Sequence, residues 1–483
     1  MRINHNSLAY TANNNLTTAN DKLAAAVERL SSGYKLNSAK DDAAGMAISQ
    51  KMTAQIRGLE RANQNSEDGA NLIQTAEATL GELQSMLNRM EELATQAANE
   101  ILAVEDATSI QQEIDDLVEE INRVTEDMDF NGRKLLNGDV CRRNYSSDTN
   151  VTLYDISSAV EAGDYGLTVT ADAEQAKISS VGMAGASYVF SAEEAGTITI
   201  NGMSITVQAG TTMSQVYSDL VYYCDLVQVD AFADDGSGKE VPFEDANGLT
   251  FRSQLYGSSQ YVEIGCSNPD LAALLGVDSV LDQRVVGKDA EVSFLEDNGE
   301  RIGFSNTATL TVDGDNVLVT DKDNFEMQFT LTAEAVADNG AIEATVTVLD
   351  AGPINLQIGA FEGEHLRVNI PKVNAKTLGI DDLSMYSHEL ASRALQDIQA
   401  ASKKISSIRS YLGACQNRLQ YTVTNLEETA ENMNKALSGI MDTNMAEEMT
   451  EYTQHNVLSQ SATQMLSKAN ALPENLLQLI QTN

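Results

Sequence analysis

Histidine, cysteine and acidic residues are the side chains through which this chain could support catalysis or bind a metal. A zinc hydrolase needs two histidines one helical turn apart with a glutamate between them. The histidines lie far apart in the sequence, and His365 is followed by Leu366 and Arg367, not by a second histidine. The four are His5, His365, His388 and His455. With no nucleophile elbow and no phosphate-binding loop either, we predict a chain that is not an enzyme and binds no metal or cofactor.

The cysteines and the paired acids have simpler interpretations. Cys141, Cys224, Cys266 and Cys415 show no metal-binding spacing, and we expect them to be reduced thiols. The pairs Asp41-Asp42 and Asp115-Asp116 fit solvated or interface charges on an acidic surface better than a general acid and base. These residue types therefore indicate no reaction.

Overall charge excludes several classes of partner. Lys and Arg total 31 against 71 Asp and Glu, a formal net charge of −40 at pH 7. Such a field repels phosphates, so we predict no nucleic-acid partner. No apolar run is long enough to span a bilayer, so we predict no membrane insertion. Residues 1–6 contain no apolar signal core, so if the protein leaves the cell it must use a route that needs no cleaved signal.

Composition divides the chain into two similar ends and a different middle. Residues 141–380 contain 22 of the 31 glycines, whereas the patterns of the two ends predict long helices.

From residue 73 the apolar positions alternate in steps of three and four, the pattern of the seam of a coiled coil. They are Ile73, Ala76, Leu80, Leu83, Leu87, Met90, Ala94 and Ala97. Upstream, Ile48, Met52, Leu59 and Ala62 continue the phase, with Gln55 and Ser66 as polar exceptions. We predict a helix from about residue 46 to 100, a break at 105–109 and a second helix over Ile110–Met128.

The C-terminal end repeats this pattern. The seam positions are Ala391, Ala394, Ile398, Ala401, Ile405, Ile408, Leu412, Cys415, Leu419, Thr422 and Leu426. A narrow apolar stripe needs a partner in water, and the simplest partner is the N-terminal helix of the same chain. We therefore predict a mixed fold with segregated α and β parts: a long antiparallel α-helical coiled-coil core built from both chain ends, with a β-rich outer region inserted between them. An ordinary dimeric coiled coil remains the alternative.

Weaker apolar stripes mark the two extreme ends. They include Leu16, Leu23 and Leu30 on one side and Leu458, Met465 and Leu472 on the other. These segments are rich in Asn and Gln and bury little area alone, so we expect them to fold only with partner subunits. The six residues are our candidates for contacts of self-assembly.

Alternating residues in the middle predict strands. Thr197–Ile200 and Ser204–Val207 flank Asn201-Gly202, a strong hairpin signal. The same reasoning predicts a helix over Thr212–Leu226. Further strands are predicted over Leu249–Gln254, Tyr261–Gly265, Thr309–Thr311 and Val317–Thr320.

Both ends resemble bacterial flagellins. The matching segments are LSSG at 30–33, LNSAKDDAAG at 36–45, GANLIQTAE at 69–77, DFNGRKLL at 129–136, LGACQNRL at 412–419 and DTNMAEEMT at 442–450. Residues near 195–278 resemble a β-rich module found in flagellins and hook-associated proteins. The resemblance implies inner-tube terminal helices from 1–42 and 445–483, a helical-bundle core domain with a short β-hairpin from 43–140 and 381–444, and a variable β-rich outer region from 141–380.

The same resemblance implies a function and partners. The chain would be a structural subunit that self-assembles into the helical flagellar filament for swimming, exported unfolded through the flagellar type III channel to the outside of the cell. Its partners would be identical subunits, an export chaperone at the C-terminal helix, and the filament cap and hook-associated proteins. Some flagellins are also recognised by Toll-like receptor 5, and the matching positions are Arg89, Leu93 and Glu113. Glu91 stands where receptor-binding members have a basic residue, which argues for weak recognition.

Two other functions remain open at this stage. A hook–filament junction protein shares the helical ends but occurs in few copies, and long filaments grown from purified protein would separate it from a filament subunit. Alternatively, residues 141–380 could form an adhesin or carbohydrate-binding module, which binding of the isolated middle to mucin or glycans would reveal.

Overall fold

The computed structural model describes residues 6–99, 104–157, 159–236, 239–277, 283–297, 299–322, 324–332, 336 and 340–481. The chain forms two compact units. One contains residues 1–69, 357–366 and 418–483, and the other contains residues 70–356 and 367–417. No described helix is both long and apolar enough to cross a membrane.

The described chain contains eight named α-helices, of which the longest lie towards the two ends. They are α1 Ser7–Ser32, α2 Ala43–Ala97, α3 Val104–Asp127, α4 Met213–Leu226, α5 Pro269–Leu275, α6 Ala375–Leu378, α7 His388–Met441 and α8 Met445–Gln481. Helices α2 and α7 contribute residues to both units. The predicted long helices are thus confirmed, with α2 beginning three residues earlier than expected.

The strands lie between α3 and α7, mostly in antiparallel pairs. They are β1 Asp129–Phe130, β2 Arg133–Lys134, β3 Asn144–Ser146, β4 Val151–Ile156, β5 Gly163–Ala171, β6 Lys177–Ser179, β7 Gly196–Ile200, β8 Met203–Val207, β9 Val229–Asp234, β10 Gly248–Ser253, β11 Tyr261–Cys266, β12 Gln283–Val286, β13 Glu291–Phe294, β14 Glu296–Asp297, β15 Glu300–Arg301, β16 Thr309–Asp313, β17 Asn316–Thr320, β18 Glu326–Leu331, β19 Ile342–Val348, β20 Ile354–Gln357 and β21 His365–Val368. The predicted segregation of helices and strands is confirmed.

In the larger unit, α2 and α7 pack antiparallel. Side-chain hydrogen bonds join Arg409 to Glu77, Ser402 to Gln84 and Gln399 to Glu91. As the residue number rises on one helix it falls on the other, as antiparallel packing requires. Every predicted seam residue from Ile73 to Ala97 is buried, and so are those from Ala391 to Leu412. The seam therefore forms within one chain, as we predicted.

Helix α3 corrects one prediction. The expected break at residues 105–109 is wrong, because α3 begins at Val104. Glu105 and Asp106 occupy its first turn, where carboxylates interact favourably with the helix dipole. Thr108 and Ser109 donate their hydroxyls to carbonyls one turn back and so remain helical. The polar residues that predicted a break between helices form the first turns of α3 instead.

Two separate apolar cores support the strands of the larger unit. The first is built from the four-stranded sheet β12-β11-β7-β8, the three-stranded sheet β6-β10-β9, and helices α4 and α5. The second is built from the sheets β13-β5-β19-β3 and β16-β17-β18-β4. Large side chains such as Phe190 and Phe329 are fully buried in these cores. Each core therefore buries apolar side chains contributed by several strands.

Turn chemistry explains the hairpins. Asn201 and Gly202 both adopt positive φ, of 46° and 85°, between β7 and β8, as the predicted Asn-Gly turn requires. Asn131 and Gly132 do the same, at 53° and 78°, between β1 and β2, which is the predicted short hairpin. Helix α4 begins after Thr212, whose side chain forms a capping box with Gln215.

In the smaller unit, α1 and α8 also pack antiparallel. The Asn6 amide donates to the Ala469 carbonyl at 2.7 Å, and the Ser459 hydroxyl donates to Asn20 at 2.7 Å. Arg29 and Glu448 form an ion pair at 3.5 Å towards the other end of the pair. Together the contacts run the length of α1.

The upstream seam also differs from the prediction. Ile48 is exposed and Ser49 is buried in its place, while Ile56 is buried next to the predicted position Gln55. The Ser49 hydroxyl donates to the Met46 carbonyl, so its burial leaves no donor unsatisfied. Leu59 and Ala62 are buried as predicted and pack in a small cluster with Leu426.

Candidate interaction surfaces

An open apolar groove runs along the helix pair α1–α8. Its volume is about 590 Å³. The lining residues are Leu8, Thr11, Ala12, Asn15, Thr18, Ala19, Lys22, His455, Leu458, Ser461, Ala462, Met465, Lys468, Ala469 and Leu472. Three of the predicted assembly residues therefore line one continuous groove.

Exposure distinguishes the predicted assembly residues. Leu458, Met465 and Leu472 are 47%, 63% and 51% exposed, values typical of residues without an apolar partner in the isolated chain. Leu16, Leu23 and Leu30 on α1 are only partly buried, although nearby Ala19 and Ala26 are buried. The pair buries its small residues and leaves its large ones uncovered, which is unfavourable in water.

Backbone hydrogen bonds join the two turns next to this helix pair. The Lys35 amide donates to the Met441 carbonyl at 2.6 Å, and the Thr443 amide donates to the Gly33 carbonyl at 3.0 Å. The buried Glu448 carboxylate accepts from Arg29 and from the Thr443 hydroxyl. Here the described contacts across the joint come from the backbone and from Arg29.

The acidic pair Asp41-Asp42 serves as a cap and a turn acceptor. The Asp41 carboxylate accepts three hydrogen bonds, from the Asn37 amide and from the amide and hydroxyl of Ser38, and those from Ser38 lower its pKa. Asp42 accepts from the Ala44 amide at the start of α2. This pair fixes the turn before α2, a structural task consistent with exposed charges.

The predicted receptor-contact residues lie on α2 and α3. Arg89 donates to Glu113 at 2.8 Å and to Glu92 at 3.1 Å, and all three side chains remain largely exposed. The Leu93 side chain is only 3% exposed. Glu91 accepts from Gln399 of α7 at 3.0 Å. The structure thus brings Arg89 and Glu113 together at the surface and places Leu93 in the interior.

A second, smaller groove lies between α2 and α7 in the smaller unit. Its volume is about 350 Å³, and Leu59 and Leu426 form its apolar part. Three glutamates line it, Glu60, Glu427 and Glu431. Glu431 pairs with Lys435 one turn away on the same helix at 2.6 Å, so the rim is a solvated charged face.

Sequence reasoning missed the buried ionisable groups. Asp155 and Lys404 form an ion pair in the interior, and burial raises the pKa of Asp397 to about 6. Nothing in the local sequence distinguishes these acids from the solvated ones, because their environment comes from residues far away in the chain. Among the described residues, no group of three His, Cys, Asp or Glu could hold a metal ion.

Comparisons with known proteins agree with this architecture. Residues 3–140 match the family model of the bacterial flagellin N-terminal helical region, and residues 395–480 match that of the C-terminal helical region. Flagellin of Salmonella muenchen is 31% identical over 516 residues, with 99% of each chain covered. Flagellin of Salmonella choleraesuis is 30% identical over 509 residues, again with 99% of each covered. Flagellin of Clostridium tyrobutyricum is 30% identical, covering 97% of this chain and 99% of its own. A chain so similar to flagellins over almost its whole length belongs to the bacterial flagellin family.

Proposed function

We propose that this chain is the structural subunit that self-assembles into the helical flagellar filament for swimming motility. The observation that supports this best is the groove of the helix pair α1–α8, whose large apolar side chains have no cover in one chain. Contacts between non-identical faces of identical subunits generate open helical polymers. A second copy of the chain is therefore the occupant of the groove. We assign assembly contacts to the three exposed residues of α8 and to their partly buried counterparts on α1.

The domain organisation and route of the protein belong to the same proposal. Residues 1–42 and 445–483 would form the inner tube, residues 43–140 and 381–444 the helical core, and residues 141–380 the outer region. The compact units have other limits, because the smaller one extends to residue 69 and resumes at 418. Before assembly the chain would pass unfolded through the type III channel to the cell exterior. An export chaperone would cover α8, and the cap and hook-associated proteins would adjoin the filament.

Assembly is testable in purified protein. The protein is seeded with short filament fragments and imaged by electron microscopy. We expect long filaments of uniform width, which deletion of residues 1–30 or 450–483 abolishes. Met465→Gln should slow growth at least tenfold, because a polar amide would be buried at the contact between subunits. The neighbouring Gln464→Ala, outside the groove, is the matched control.

Two outcomes would contradict the proposal. Persistent monomers, under conditions that polymerise another flagellin, would favour a hook–filament junction protein. Equal growth of the Met465→Gln and Gln464→Ala variants would show that the groove is not the assembly contact. Circular dichroism of both variants should be unchanged, since Met465 is exposed in the free chain.

Receptor recognition is a separate proposal. Arg89 and Glu113 are the exposed candidates for contact with Toll-like receptor 5. Because they form an ion pair with each other, binding of the receptor must weaken that pair to form its own contacts. Burial of Leu93 argues against a direct contact by that side chain. The neighbouring Glu91 adds a negative charge, which would repel an acidic surface on the receptor. Recognition by this chain is therefore proposed to be weak.

A further inference from the structure

A lysine and an aspartate from distant parts of the sequence meet in the interior of the larger unit. Lys404 Nζ on α7 lies 2.5 Å from Asp155 Oδ2 on β4. The two side chains are 16% and 4% exposed. Nζ also donates to the Thr377 carbonyl at 2.8 Å, and the Glu326 carboxylate lies 3.7 Å away. An amine, a carboxyl group and a second carboxylate are thus within reach of one another.

An irregularity in the pairing of β4 with β18 presents Asp155 to the lysine. Phe329 pairs with Leu153, but the next residue, Gln328, pairs with Asp155, so Tyr154 is an extra residue on β4. A bulge of this kind shifts the following side chains to the other face of the strand. Asp155 therefore shares the face of Gln328 and not the apolar face of Leu153.

The second carboxylate is also held in place. Glu326 lies two residues from Gln328 on β18 and so shares its face. The Gln328 amide donates to Glu326 Oε1 at 2.7 Å. Glu326 is more exposed than Asp155, so it retains contact with water. These properties suit a group that accepts a proton and returns it.

Burial makes the charged form of the pair costly. Among the described residues, Asp155 Oδ1 has no hydrogen-bond partner although it is buried. Burial raises the pKa of Asp155 above its ordinary value, against the opposing effect of the Lys404 charge. Burial therefore favours the uncharged form of Asp155.

We propose that Lys404 and Asp155 condense to form an intramolecular amide bond between Nζ and Cγ. In the first step one proton passes from Nζ to the Asp155 carboxylate, and the lone pair of the resulting amine attacks Cγ of the resulting carboxylic acid. Glu326 takes a proton from the attacking nitrogen and delivers it to the departing hydroxyl. The C–O bond then breaks and one water leaves. No electrons are exchanged with an oxidant, and the amide keeps one N–H that can still donate to Thr377.

Proximity supplies the driving force. Well-oriented groups within one molecule react as though present at effective concentrations on the order of 10⁵–10⁸ M. Condensation also removes a buried charged pair whose desolvation is unfavourable. The bond would join residues roughly 250 positions apart, closing a large loop within one compact unit. A covalent tie here would hold β4 against α7 when the protein is pulled.

Mass spectrometry of the folded, purified chain tests the proposal. We expect an intact mass lower than the sequence mass by one water molecule, and a protease digest that yields a branched peptide joining the segments around Asp155 and Lys404. The unfolded chain should migrate faster than expected in a denaturing gel, because it contains a closed loop. Lys404→Arg retains the positive charge but cannot form the amide under these conditions. The measured mass of this variant should therefore equal the mass calculated from its sequence.

Two further variants make the test specific. Lys403→Arg changes an exposed neighbouring lysine and should still lose one water. Glu326→Gln keeps the shape of the side chain but removes the proton carrier, and its loss of water should be slowed at least tenfold. Circular dichroism must show that all three variants are folded.

Three results would overturn the inference. The first is an unmodified mass in the folded wild-type protein after prolonged incubation at neutral pH. The second is loss of one water in Lys404→Arg, which would indicate dehydration at another residue. The third is loss of water in Glu326→Gln at the wild-type rate, which would exclude the assigned proton transfer.

Discussion

Leu87→Ala should destabilise the larger unit strongly. Leu87 is completely buried in the seam between α2 and α7, as are its seam neighbours Leu83 and Met90. Truncation of a buried leucine costs about 2–5 kcal/mol, and the cost increases when the surroundings cannot collapse into the space. Two long helices fixed by hydrogen bonds along their length cannot approach each other at one point. We therefore expect the upper half of that range, about 3.5–5 kcal/mol.

Urea unfolding followed by far-ultraviolet circular dichroism measures this change. Asn88→Ala is the matched control, because Asn88 is the next residue of the same helix and is exposed. Alanine favours the helix, so the control should change the free energy of unfolding by no more than about 0.5 kcal/mol. A loss of less than about 1 kcal/mol in Leu87→Ala would refute the interlocked seam.

Four other outcomes follow from the structure. Ser66→Ala should change stability by less than about 1 kcal/mol, because the hydroxyl bonds only a carbonyl of its own helix; a larger loss in urea unfolding would contradict this. Burial raises the pKa of Asp397 to about 6, so the folded chain holds the extra proton and stability should fall as pH rises from about 4 to 6. Asp397→Asn should flatten that pH dependence, and an unchanged profile would argue against it. Arg89→Ala should weaken binding to purified Toll-like receptor 5 about tenfold, whereas the exposed, ion-paired Arg123→Ala on α3 should not; equal effects would refute the proposed contact. Because α1 buries only Ala19 and Ala26, hydrogen exchange of unassembled protein should be faster in α1 and α8 than in α2 and α7, and equal protection of all four helices would contradict this.

The sequence predicted the seam well where apolar residues occupy its positions. It failed at Ser49, where a hydroxyl takes the place of an apolar group, whereas Ser66 was already placed on the seam as a polar exception. Both serines can be buried in the helix because each hydroxyl donates to a carbonyl three or four residues back. A serine satisfied in this way behaves as a small core residue, although a pattern of apolar letters counts it as an interruption. The same effect concealed the start of α3, where Thr108 and Ser109 bond the preceding turn.

Candidate sites were less predictable than the fold, because burial of a charge depends on distant residues. Asp155 looks like any other acid in an acidic region. Its burial depends on a strand bulge and on Lys404, which no local spacing reveals. Leu93 is a second example, since the resemblance implies contact with a receptor, whereas packing buries the side chain in the isolated chain. Motif spacing reports local geometry, whereas accessibility depends on the whole fold.

Burial also identifies the part of the chain that must drive association. The strands of the middle enclose two apolar cores of their own. Helix α1, by contrast, buries only Ala19 and Ala26, and the large side chains of α8 remain exposed. Association free energy comes mainly from apolar area that is removed from water. The terminal helices can therefore supply much of it, and changes of sequence in the middle can alter the displayed surface without weakening the contacts made by these helices.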